Sequence, residues 1–145
     1  MMGTNYYWKG IQPQQCKCCG ETPDREVDHI GKSSSGWKFA FNAVEDANGE
    51  VYIQTGRQWF DALRVGDTLG KTIENEYGEM ISVEEFISMV EDKQKRVDGT
   101  PAYTMASYCH EMFIENVIGV DGYDDIGEFI DAEGYRCLMK YIDFN

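Results

Sequence analysis

Residues 82–96 carry the plainest pattern in the chain. Val83, Phe86, Ile87 and Val90 recur at the i, i+3, i+4, i+7 spacing of one helical face. Ser82 followed by Glu85 has the form of a capping box. Glu84 and Glu85 open the segment and Lys93, Lys95 and Arg96 close it, as the helix dipole prefers, and Asp98-Gly99 and Pro101 end it. Elsewhere the period is two. Residues 4–9 are an aromatic-rich run, residues 26–30 alternate, and residues 36–43 put Trp37, Phe39 and Phe41 on one face against Lys38, Ala40 and Asn42 on the other. These predict three strands, with a polar loop over 13–25 and a turn over 31–36. Asn48-Gly49 and residues 75–79 predict further turns. Residues 57–65 predict a short helix burying Trp59, Phe60 and Leu63, and 103–118 a second long helix. The acidic, glycine-punctuated stretch 119–134 reads as loop, and 135–142 as a last strand. The sum is an α+β fold: one compact domain of mainly antiparallel sheet with two or three helices. Within it, residues 1–43 form an N-terminal strand-and-knuckle part and 44–145 an acidic remainder.

A chain of 145 residues can bury a core without disulfide staples. The first residues lack the apolar core of an export signal, and no run approaches the roughly 20 apolar residues of a membrane span. Of the five cysteines, three crowd together at Cys16, Cys18 and Cys19. An odd number without an export signal predicts reduced thiols and a cytoplasmic location.

Charge narrows the partners. The net charge is −13, and it is uneven. Residues 1–41 hold five basic side chains against four acidic ones, so the rest carries −14. From Glu115 to Glu133 there are seven acids and no base. Such a field repels a phosphate backbone and disfavours direct nucleic-acid binding. It attracts a basic protein surface instead, including the nucleic-acid groove of another protein. Asp121, Asp124, Asp125 and Glu128 are the candidate partner-binding residues; the same acids also serve solubility.

Three segments could carry chemistry. Cys16 and Cys19 have C-x-x-C spacing, and Gly20 suits the tight turn that aims both thiolates at one zinc ion. His29 is the candidate third ligand; Cys18, Asp28, Cys109 and His110 stay open for the fourth. A redox pair is disfavoured, because Pro13 and Pro23 bracket the motif where a helix should follow. Gly31-Lys32-Ser33 has the ending of a phosphate-binding loop. Glu26, however, stands where the upstream glycine belongs, and a strand pattern follows. Lys32, Ser33 and Ser34 stay as candidate anion-binding residues in a glycine-serine turn. Cys109 and His110 are neighbours on a predicted helix and point apart, so no catalytic dyad is expected. No catalytic residue is assigned.

Several of these motifs together resemble a group of small, uncharacterised proteins encoded by bacteriophages and prophages. The resemblance rests on Met2-Gly3-Thr4-Asn5-Tyr6-Tyr7, Cys16-x-x-Cys19-Gly20, and His29-Ile30-Gly31-Lys32-Ser33-Ser34 with Gly36-Trp37. Glu76-Tyr77-Gly78, Ile81-Ser82-x-Glu84-Glu85-Phe86 and Glu133-Gly134-Tyr135 extend it, while 97–130 departs from it. It implies a phage accessory protein with a small metal knuckle. The expected function is binding and inhibition of a host defence effector, such as a CRISPR or other nuclease, through an acidic surface. The alternatives are a phosphate- or nucleotide-binding protein or enzyme using the 29–37 loop, and a structural or assembly component of the phage particle.

Overall fold

The computed structural model describes residues 3–11, 14–21, 26–104, 107 and 127–141. The aromatic run forms β1 (Thr4–Lys9). It pairs antiparallel with β2 (Val27–Ser33) on one side and β6 (Thr72–Asn75) on the other. From β6 the chain turns back to β7 (Met80–Ile81), held by the Asn75 side chain, which accepts the Tyr77 and Glu79 N–H groups at 2.9 and 3.0 Å. Beyond β2 lie β3 (Ala40–Phe41), β9 (Arg136–Leu138) and β8 (Glu128–Ile130). The seven-stranded order is β7-β6-β1-β2-β3-β9-β8, with β3 and β9 running parallel and the other neighbours antiparallel. A separate ribbon joins β4 (Val44–Glu45) to β5 (Val51–Ile53) across the Asn48-Gly49 turn. With the helices α1 (Gly56–Thr68) and α2 (Val83–Asp92), this is an α+β fold with a mainly antiparallel sheet. No helix among the described residues is long and apolar enough to cross a membrane.

Both helices start on side-chain caps. The Thr55 hydroxyl accepts the Gln58 N–H, and the Gln58 side chain accepts the Thr55 N–H at 3.0 Å. The Ser82 hydroxyl accepts the Glu85 N–H at 3.1 Å. α2 stops at Asp92, four residues before the expected end, so Lys95 and Arg96 lie beyond it. The Asp98-Gly99 turn takes them instead. The Arg96 N–H donates to the Thr100 carbonyl at 2.8 Å, and Lys95 bridges Pro101.

The helices share one face of the sheet, and the core between them is aromatic. Phe86 meets Tyr6 and Phe39 with ring centroids 5.6 and 5.3 Å apart. Phe60 meets Phe41 and Tyr135 at 5.7 and 5.3 Å, and Trp59 meets Trp8 at 6.0 Å. All are edge-on, the arrangement aromatic quadrupoles favour. Full burial of each such side chain contributes roughly 1.5–3 kcal/mol. The Trp59 indole N–H donates to the buried Asn42 carbonyl at 2.7 Å, so its one polar group is satisfied.

Three expectations change. The turn expected at 31–36 begins later, because β2 runs through Gly31, Lys32 and Ser33. The strand expected at 36–43 shrinks to two residues, with Trp37 diverted to a bridge with Tyr103. The loop expected at 119–134 contains β8, whose acidic first residue is neutralised by pairing. Of the helix expected at 103–118, all but residues 103, 104 and 107 lie outside the described residues.

Gly31 lets β2 approach β3. A Cβ there would lie 2.0 Å from the Ala40 carbonyl oxygen and 2.7 Å from the Phe39 ring. The first is backbone and cannot move aside. Gly31→Ala is therefore expected to destabilise the fold by more than about 2 kcal/mol, as overpacking against fixed atoms does. Urea unfolding would show it as a lower midpoint, and an unchanged midpoint would contradict the close approach.

Candidate functional site

The cysteine turn closes on itself. The Gly20 N–H donates to the Cys16 carbonyl at 2.9 Å and the Cys16 N–H to the Glu21 carbonyl at 2.7 Å, with Gly20 at a φ of +76°. Cys16 is half-buried, and Cys18 and Cys19 are exposed. The Cys19 N–H, then the Cys18 N–H, then the Cys19 thiol hold the Cys16 thiol below its usual pKa. This donor set fits half of a tetrahedral zinc site.

His29 is not brought to it. Among the described residues no three His, Cys, Asp or Glu side chains gather as a group able to hold a metal ion. His29 is buried in the sheet, its Nε2 3.0 Å from Asn5 Oδ1 and its ring stacked on Tyr7 at 4.9 Å. Cys109 and His110 lie outside the described residues. Burial, and then Asp131, push the buried Cys137 thiol up to about 12, away from the thiolate form.

The 29–37 segment is a strand followed by a tight turn. Lys32 and Ser33 pair with Asn5 and Thr4, and the Trp37 N–H donates to the Ser34 carbonyl at 3.1 Å. Gly3 lies against this turn. A Cβ on it would stand 2.6 Å from both the Ser33 carbonyl and Ser34 Oγ, and 2.7 Å from Lys32 Cε. Gly3 thus packs closely against Lys32, Ser33 and Ser34.

Of the expected partner-binding acids, Asp121, Asp124 and Asp125 lie outside the described residues. Glu128 is placed, and its carboxylate turns inward. It accepts Arg136 Nε at 2.6 Å, and its side chain is only 5% exposed. The Arg136 guanidinium also lies over the Trp37 ring at 5.0 Å. Glu128 therefore closes an internal ion pair.

A different set of acids faces solvent together. β2 and the ribbon β4–β5 border a cleft of about 340 Å³, lined by Asp28, His29, Val44, Glu45, Asp46 and Tyr141. The Asp46 carboxylate is fixed by accepting the Asn48 and Glu50 N–H groups at 2.8 and 3.0 Å. Glu45 accepts the Tyr141 N–H at 3.3 Å. Burial, and then repulsion from Glu26, raise the Asp28 pKa above the usual carboxylate value, while Lys71 draws it down. The Tyr52 hydroxyl, raised first by burial, also feels Asp28, Glu26 and Asp46. The cleft is therefore electronegative, with one carboxylate that ionises at a cost. Asp28 and Glu45–Asp46 come together only through the packing of β2 beside β4, so no local motif announces them. The chain finds no match among protein-family models, characterised proteins or solved structures.

A raised carboxylate has a definite sign in stability. From the usual value of 3.8 up to the raised value, the folded chain binds the Asp28 proton more tightly than the unfolded chain does. Stability falls as pH rises through that window. Asp28→Asn should therefore be more stable than the parent at neutral pH, and that advantage should vanish below about pH 4. Thermal midpoints measured across the range give the comparison. Equal midpoints at neutral pH would mean that the carboxylate ionises freely.

Proposed function

We propose that the chain is a binding protein whose acidic cleft docks on a basic surface of a protein partner. The carrying observation is the placing of Asp28, Glu45 and Asp46 around one open cleft, with Glu26 beside Asp28. Two of these carboxylates are oriented by backbone N–H groups, so little side-chain freedom is lost when a cation arrives. A lysine or arginine entering the cleft relieves the repulsion between Glu26 and Asp28, and the net charge of −13 steers it there. The proposed setting is that of a phage accessory protein blocking a host nuclease at its nucleic-acid groove. That setting rests on the resemblance of the Met2–Tyr7, Cys16–Gly20 and His29–Trp37 segments to phage-encoded proteins.

The test uses isosteric neutralisation. Asp28→Asn, Glu45→Gln and Asp46→Asn keep every acceptor oxygen that holds the turn and remove the charges. The parent, immobilised over a bacterial lysate, should retain a basic nucleic-acid-binding protein that elutes with salt and is displaced by duplex DNA. The triple variant should bind that purified protein at least about tenfold more weakly. A partner held equally by the variant, or insensitive to salt, would move the docking surface elsewhere.

A further inference from the structure

α1 carries two apolar stripes. Trp59, Phe60 and Leu63 face the core. Ala62, Val65, Gly66 and Leu69 follow the i, i+3, i+4, i+7 spacing on another face. That second stripe borders a groove of about 340 Å³, closed on its far side by Trp8. Ala62 and Gly66 keep the floor low, and the indole of Trp8 lies so close to Gly66 that a Cβ there would stand 2.5 Å from the ring. Val65 and Leu69 are each 60% exposed, and Ile11, beside Gly70, is 66% exposed. Exposed aliphatic groups collected around one groove mark an interaction surface rather than scattered surface apolars.

We infer that this groove takes an aliphatic or aromatic anchor side chain from a basic segment of a protein partner. The inference rests on the acidic-docking reading and names its apolar half. Charge chooses the occupant. Asp61 lines the groove and is in no ion pair among the described residues. The cation on the rim, Lys71, is already engaged, 3.8 Å from Glu26 and 4.0 Å over the Trp8 ring. A second copy of this chain would bring another −13 to the same place. A basic partner brings the complementary sign. The groove also neighbours the acidic cleft: Trp8 is the direct cross-strand neighbour of Asp28, and Lys71 sits beside both Trp8 and Glu26. An apolar anchor beside a ring of opposite charge is how most binding energy comes to lie in a few central residues.

Two synthetic peptides of equal charge test this, one with lysines on one helical face and leucines on the other, the second with each leucine replaced by alanine. Labelled peptides would be titrated with the full chain and read by fluorescence anisotropy. The parent should bind the leucine peptide about tenfold more tightly, the effect of one well-buried aliphatic anchor. The double variant Val65→Thr, Leu69→Ser should lose that preference while binding the alanine peptide as before. The cleft variant Asp28→Asn, Glu45→Gln, Asp46→Asn should weaken both peptides alike. Equal affinities in the parent, or a preference that survives the double variant, overturn the groove and leave the cleft standing. Failure of both peptides to bind overturns both. A concentration-dependent dimer, seen by sedimentation and lost in the double variant, assigns the groove to a second copy and overturns the inference. A large fall in the urea midpoint of Leu69→Ser assigns it to the chain's own residues, with the same result.

Discussion

Among the described residues, the pairing of Gly31 with Phe41 and of Lys32 with Ala40 is the strand ladder that joins the two halves of the sheet. On one side stand β7, β6, β1 and β2; on the other, β3, β9 and β8. The seam is two residues long, and it holds because Gly31 has no side chain to keep the Ala40 carbonyl away. Everything placed on the sheet inherits that geometry. Phe39 and Phe41 reach the helices only from this seam, and through Phe86 and Phe60 they fix α2 and α1 over one face. The cleft and the groove then lie to either side of the β1–β2 pair, one beside β4 and the other beside α1.

Much of this was legible in the sequence where local chemistry decides. The aromatic run of Thr4–Lys9, the Ser82 cap, the Asn48-Gly49 turn and the Trp59–Leu63 stripe all formed as read. Where tertiary pairing decides, the reading failed. Gly31-Lys32-Ser33 has the composition of a turn, yet β1 and β3 draw it into a strand from both sides. Glu128 reads as one more solvated acid, yet Arg136 across the β8–β9 pair takes it inside. The Cys16–Gly20 segment was legible as a tight turn, but His29, its nearest expected ligand, is held by Asn5 and Tyr7 in the sheet. The acidic cleft was not legible, because its members belong to separate strands whose proximity no spacing rule encodes.

The contrast between Glu128 and Asp28 shows how one charge plays two parts. Glu128 has a guanidinium at hydrogen-bond distance, and its desolvation is met on the spot. Asp28 is half-buried with another carboxylate nearby, and Lys71, shared with Glu26 and Trp8, offsets it in part. The first arrangement fastens β8 to β9. The second leaves a carboxylate that ionises only at some cost to the free chain.

The parallel pairing of β3 with β9 sets the order in which the molecule can assemble. The pairs β1–β2, β4–β5, β6–β7 and β8–β9 link strands adjacent in sequence, and their loops are comparatively cheap to close. Ala40 meets Arg136 and Phe41 meets Cys137, so β3 must wait for residues synthesised long after it. During that interval a nascent chain presents the bare edge of β3 and the aromatic side chains of Phe39 and Phe41 to whatever is near the ribosome. The arrival of β9 covers that edge, with Tyr135 coming to rest against Phe41 and Phe60. Maturation of the sheet is thus timed by the arrival of β9.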